Sequence, residues 1–421
     1  MEYVIYDTIF CVKIVENVKK KLYPVYCSNG TYLRAVSALP AQVRIYGIRD
    51  AVGPYAVRGT YIEAFAAARA RACHSELLIC IILYYVNFIV FHHVKILLLP
   101  CPFVKYNICM FNGLHYNSIS AYLKERFGCR VVKLALDGGF TCPNRDGTKG
   151  LGGCTFCSDS GSGDFAGTIE QQLASVSRKW SRSGSSLSAA AADKEDPDLK
   201  YIAYFQSHTN TYTSPERLRA LWDEALAHEN VVGLAIATRP DCLGPEVLDL
   251  LEEYNEKTFL WVELGLQTAS DDTAEKFNRC SKTAEFTDAA YHLSSLGIKC
   301  VIHLILGLPG EDKAQFRRTA EYVRSLSPFG IKIHMLHLME GTAMGEEYRR
   351  APFPLLTMEE YVSCVCDILE MLPQSVTIHR LTGDAPQDKL IAPDWTRNKH
   401  AVLNAIQQEF KRRGSFQGWR V

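Results

Sequence analysis

Cys142, Cys154 and Cys157 stand in the segment CPNRDGTKGLGGCTFC, and three thiols so placed can hold a metal group. Eleven residues rich in Gly, Asn, Asp and Pro separate the first two cysteines, and two separate the second pair. Turn-formers of this kind let the backbone curl around a bulky inorganic cluster and aim its N–H groups at the sulfides. The number of ligands discriminates between readings. Structural zinc takes four protein ligands in a closed tetrahedron, and an electron-transfer 4Fe-4S cluster takes four cysteines. Three cysteines leave one iron open to chelation by a small molecule. Structural zinc and reduced core cysteines are the competing readings. Cys129 precedes the adjoining apolar run and is expected at its opposite end.

Glu263 lies in the apolar run FLWVELGL. A carboxylate buried there without a partner is costly, so it is expected to face the site and meet a cofactor or a basic group; Arg239 and Arg279 are the natural counter-charges, either to Glu263 or to a cofactor carboxylate, with a structural ion pair the competing reading. His334, His337, His379 and Asp384 could contact a substrate or move protons, and none is assigned a catalytic role. Cys242, Cys280, Cys300, Cys364 and Cys366 read as small core residues.

The elements that must position these residues form a βα series. Apolar runs rich in β-branched residues predict strands over Val131–Leu136, Tyr201–Gln206, Val231–Thr238, Phe259–Leu266, Cys300–Leu306 and Ile331–Leu338. Helical spacing predicts helices over Ser214–His228, Gly244–Tyr254, Thr283–Leu296 and Lys313–Leu326. Strands alternating with helices imply parallel pairing through right-handed crossovers, hence a barrel, a partial barrel or a doubly wound α/β sheet. In each of these, ligands gather at the carboxyl ends of the strands. The polar residues cluster there: Asp137, Gln206, Glu263 with Gln267, His303, and His334 with His337.

The chain has 421 residues, 46 basic and 46 acidic, so no long-range field marks the whole molecule as a nucleic-acid binder. Its 15 cysteines lack the spacing of a secreted disulfide framework, and a reducing compartment fits them better. Residues 1–109 form a poorly defined N-terminal extension of different character. Its apolar stretch Leu77–Phe91 is shorter than the roughly 20 residues a spanning helix wants, which argues against a membrane anchor. One expectation is that translation starts at Met110. Ser181–Asp198 reads as a flexible surface loop inserted between two core elements.

From about Tyr116 onward the chain resembles the radical S-adenosylmethionine superfamily, and within it the YhcC/YtqA-like subgroup, whose radical domain is akin to that of the elongator catalytic subunit. The residues carrying the resemblance, in order, are CPNRDG and GGCTFC, YFQSHTNTY, TRPDCL, ELGLQ, HLILGLPGE, KIHMLHL, HRLTGD and LIAPDW. The eleven-residue gap departs from the closer spacing usual in the superfamily and agrees with this subgroup. The resemblance implies a partial parallel (βα)6 barrel over residues 110–345 with a C-terminal α/β extension over 346–421. It implies a 4Fe-4S cluster on Cys142, Cys154 and Cys157, which binds S-adenosylmethionine and yields a 5′-deoxyadenosyl radical. It places Phe156 near the adenine, Gln206 where relatives hold the methionine amino group, and Ile305 and Gly307 along the adenine; Glu263 joins them in the cofactor site. It further implies an external electron donor of flavodoxin or ferredoxin type, a cytoplasmic setting and tRNA wobble uridine as substrate, with a small metabolite, or a zinc-bound scaffold without turnover, as the alternatives.

Overall fold

Seven parallel strands, lying side by side in the order 377–380, 330–335, 299–306, 259–267, 231–238, 200–205 and 131–136, make the central sheet of the computed structural model. The structure describes residues 22–26, 32–36, 111, 113–161, 163–183 and 199–421. The strands are β3 (Val131–Leu136), β4 (Lys200–Phe205), β5 (Val231–Thr238), β6 (Phe259–Gln267), β7 (Lys299–Leu306), β8 (Gly330–Met335) and β10 (Thr377–Arg380). Between them run α2 (Ile169–Ser183), α3 (Pro215–Ala227), α4 (Pro245–Lys257), α5 (Asp271–Lys276), α6 (Thr283–Ser295) and α7 (Lys313–Ser325). After β8 come β9 (Leu338–Met339), α8 (Ala343–Arg350) and α9 (Met358–Met371), and after β10 come β11 (Leu390–Ala392) and α10 (Lys399–Arg413).

Each strand presents alternate residues to two different environments, as a pleated strand must. On β5, Leu234 and Ile236 pack under the helices, while Ala235 and Ala237 face a second, smaller cluster. On β6, Leu260, Val262 and Leu264 take the helix side and Trp261 the other. The helices close the first layer with Leu218 and Trp222 of α3 and Leu250 and Leu251 of α4, each large side chain contributing roughly 1.5–3 kcal/mol when fully buried. Pro215 and Pro245 open α3 and α4 at their first turns, where a missing N–H costs no hydrogen bond.

The inner face curls into a half-barrel. The helix α1 (Ile119–Phe127) touches both edge strands, β3 and β10. A nine-residue helix is only about 14 Å long, whereas seven flat strands would hold their edges nearly 30 Å apart. Ile119 and Leu123 of α1 plug this face against Ile202, Phe259, Trp261 and Val301.

The six strands expected from periodicity are present within one or two residues at most ends, but Ile331–Leu338 is two strands: β8 ends at Met335, and β9 turns away to pair antiparallel with β11. The seventh strand, β10, comes from the segment expected as an extension and pairs parallel with β8. The helix α2 continues through Ser183, so the first residues of the expected 181–198 loop are helical; residues 184–198 lie outside the described residues. The chain divides into two compact units, 1–99 and 100–421. In the first, Leu22–Tyr26 and Tyr32–Val36 form an antiparallel pair, β1 and β2, and the Leu77–Phe91 stretch lies outside the described residues. Among the described residues no helix is long and apolar enough to cross a membrane.

Candidate active site

The three cysteines lie on the long connection from β3 to α2, at the carboxyl end of the sheet. Cys142 O accepts from Arg145 N (2.8 Å) and Asp146 N (3.2 Å), which reverses the chain. Asn144 O accepts from Gly153 N (2.8 Å), and Cys154 O accepts from Cys157 N (2.9 Å), bringing the second arm back over the first. Gly153 permits this return: its φ is +79°, and a Cβ there would lie 2.9 Å from Arg145 Nε. The Arg145 guanidinium donates to the carbonyls of Cys157 (3.1 Å) and Ser158, stapling the two arms together.

A second segment anchors the loop, and sequence reasoning missed it. Asn278 Nδ2 donates to Leu151 O (3.2 Å) and Gly153 O (2.8 Å), while Thr155 N donates to Phe277 O (3.0 Å). The Phe277 ring packs on Phe156 at 5.3 Å. Asn144, fully buried, donates to Asn278 O and to Cys154 Sγ (3.7 Å). Asn278 sits at φ +61°, a conformation in which Asn is several-fold enriched, and that is the one signal its sequence offers.

A cavity of about 280 Å³ opens beside the loop. Cys142, Cys154, Cys157 and Phe156 line it from the loop, and Gln206, Glu263 and Ile305 line it from the sheet. Gly307 does not line it; its φ of +95° turns the chain two residues past Ile305. His334, His337 and Asp384 also face the cavity, and His379 does not.

The donor set fits an iron-sulfur group. Burial pushes the Cys154 thiol up to about 12, with the neighbouring Cys157 and Cys142 adding to the shift and Arg239 opposing it, so the three sulfurs share one environment beside a cation. The three thiols face one cavity of about 280 Å³, space for a group larger than a single ion.

Arg239 and Arg279 line the cavity, and neither pairs with Glu263, which corrects one of the partners expected for them; each instead makes a structural ion pair, another of the expected readings. Arg239 forks onto Asp241 (2.9 and 3.0 Å), and Arg279 holds Asp271 (3.0 Å) and the carbonyls of Leu266, Thr268 and Ser281. Glu263 is fully buried and finds its partners inside the half-barrel: Trp261 Nε1 (2.8 Å), His303 Nε2 (2.8 Å) and the Lys332 ammonium. Burial pushes this carboxyl up, but Lys332 and His303 outweigh it and hold it well below the usual range. Lys332 escaped the sequence analysis although the reasoning applied to Glu263 covers it equally: a lysine inside the apolar strand GIKIHM needs a buried partner. A second correction concerns Cys242 and Cys280, which are only partly buried rather than core residues; Cys280 Sγ donates to Asn278 Oδ1 (3.1 Å) beneath the cysteine loop.

The chain matches the Radical SAM superfamily over residues 142–323 and the Radical_SAM C-terminal domain over 328–412. It is 45% identical to YtqA of Bacillus subtilis over 311 residues, 72% of this chain and 92% of that protein. A tRNA uridine(34) acetyltransferase of Dehalococcoides mccartyi is 31% identical over 167 residues, 38% of this chain and 35% of that protein. Among solved structures, archaeal Elp3 of Methanocaldococcus infernus with an N-terminal deletion shares the fold at a TM-score of 0.50 and 16% identity, over 68% of this chain and 64% of that one. A cysteine loop at the carboxyl end of a parallel half-barrel, with these two domains matched in order, makes the chain an enzyme of the radical SAM superfamily, in its YhcC/YtqA-like subgroup.

Proposed function

We propose that this enzyme holds a 4Fe-4S cluster on Cys142, Cys154 and Cys157, binds S-adenosylmethionine at the open iron, and uses the pair to modify a wobble uridine of tRNA. One observation carries the reading: the three thiols share a single cavity with the carboxyl ends of the strands. Cys142, Cys154 and Cys157 would hold the cluster, which would supply the electron for reductive cleavage of S-adenosylmethionine to methionine and a 5′-deoxyadenosyl radical able to take a hydrogen atom from the substrate.

The chain's own groups bind, orient and exclude water. Phe156, braced by Phe277, would wall the adenine side, with Ile305 lining the same cavity and Gly307 turning the chain just beyond. Gln206, one residue past β4, offers an amide to the methionine amino group. Both Glu263 oxygens are already engaged, so Glu263 serves the cofactor pocket chiefly by fixing the charge of its floor. The electron comes from an external donor of flavodoxin or ferredoxin type. The likeness to a tRNA uridine(34) acetyltransferase of Dehalococcoides supports tRNA as substrate, and the fifteen cysteines support a reducing, cytoplasmic setting.

The test is anaerobic isolation of the full chain, with iron and sulfide measured, followed by reductant and S-adenosylmethionine. Four irons and four sulfides per chain with release of 5′-deoxyadenosine are expected, and Cys157→Ala should lose both. Protein carrying zinc and no sulfide, or iron that survives the substitution, overturns the reading. Wobble-uridine nucleosides unchanged in a deletion strain would remove tRNA alone and leave the radical chemistry standing.

A further inference from the structure

Away from the cysteines the cavity reaches the inner face of the half-barrel, and its lining there is ionic. Lys332, 2% exposed, donates to Tyr204 Oη (2.8 Å) and to Glu263. Its ammonium lies 4.2 Å from the Tyr204 ring centroid, and that of Lys133 lies 5.3 Å from the same ring. At the rim Arg380 pairs with Asp384 (3.1 Å), which also holds Lys399 (2.8 Å). Glu263 is thus paired with Lys332, Lys133 stands by the same tyrosine ring, and Asp384 is divided between Arg380 and Lys399, so the positive charge is in surplus. His334 faces the same space with its Nε2 buried and without a hydrogen-bond partner. Taking several cations out of water costs several kcal/mol for each ion unless a counter-charge completes them.

We propose that this floor is a subsite for an anionic group of the substrate, a carboxylate or a phosphoryl group, held by the Lys332 ammonium with Arg380 and His334 Nε2 around its other oxygens. The assignment rests on the cavity being the active site of the radical enzyme. Burial lowers Lys133, Lys332 and His334 together; Glu263 opposes the shift of the two lysines, and neighbouring cations add to all three.

The probes are sodium acetate and inorganic phosphate, titrated calorimetrically into the full-length chain against chloride at equal ionic strength, without S-adenosylmethionine or reductant. One of them is expected to bind saturably; acetate alone identifies a carboxylate site and phosphate alone a phosphoryl site. Lys332→Met should weaken that binding at least tenfold, and Glu263→Gln, which removes the competing anion, should tighten it. A purely structural ion pair would weaken binding in both variants, and that result overturns the proposal, as does saturation by neither probe. If Lys332→Met does not fold, Arg380→Gln at the rim carries the same expectation. No turnover enters the assay, so failure here alongside 5′-deoxyadenosine release would sink the subsite and spare the enzyme class.

Discussion

His337 shows how a single side chain couples the site to the stability of the chain. Burial pushes its imidazole down to about 4, against the opposing pull of Asp384 and with Arg380 adding to the depression. An unfolded histidine titrates near 6.5, so between about pH 6.5 and 4 the unfolded chain binds a proton that the folded chain refuses. Stability from this group is thus complete above about pH 6.5 and is lost as pH falls toward 4, by up to about 3 kcal/mol. The lowered values of His303 and His334 act in the same direction. Asp384, held below its ordinary value by Lys399 and Arg380 despite burial, gives up its own contribution only at lower pH and does not mask the window. Urea midpoints at pH 7.5, 6 and 5 should fall in that order, and His337→Asn should flatten the series. A variant with the parent's full slope would shift the dependence to the other histidines.

The same logic of buried charge made Glu263 legible in the sequence and, applied to the strand GIKIHM, flags Lys332 as well; that the two pair with each other is legible only once β6 and β8 stand in one sheet with β7 between them. Element by element, β3 and β5 begin and end where their apolar runs do: β5 is buried from Gly233 to Thr238, whereas β3, at the edge of the sheet, buries Leu134 and Leu136. The strand β10 has only four residues, TIHR, of which Ile378 alone is apolar, and it is held by its pairing with Gly330 and Ile331 of β8 rather than marked by any period of its own. The plug α1 was likewise invisible as a plug. Its caps are readable, Ser118 accepting from Ala121 N and Gly128 closing the helix at φ +72°, but nothing local says that it touches two distant strands. Leu123, 3% exposed, is its deepest inward side chain. Leu123→Ala should therefore cost about 2–5 kcal/mol, as for other buried leucines, whereas Lys124→Ala on the exposed face should change stability by less than about 0.5 kcal/mol. Denaturant unfolding of the two variants checks this, and equal effects would mean that α1 does not close the half-barrel.

At the scale of the whole molecule, the segment after residue 345 is bound into the same core as the cysteine-bearing half. Tyr361, Val365 and Leu369 of α9 and Val402, Ile406 and Phe410 of α10 belong to the apolar cluster that also holds Leu134 of β3 and Leu218 of α3. The strand β10 covers the edge of β8, and a bare edge presents unpaired N–H and C=O groups to any other chain. The same segment supplies Arg380 and Asp384 to the rim of the cavity. A chain ended at residue 345 loses the cover of β8, the outer helices and the rim in one step, so it should express as aggregate and show no cooperative unfolding. Restoring residues 346–421 as a separate polypeptide during refolding should recover soluble complex, because the lost surface is complementary and large. Size-exclusion chromatography with circular dichroism decides the matter: a monomeric 1–345 fragment that melts cooperatively would make residues 346–421 an appended domain, whereas aggregation relieved by the missing piece makes them part of the half-barrel.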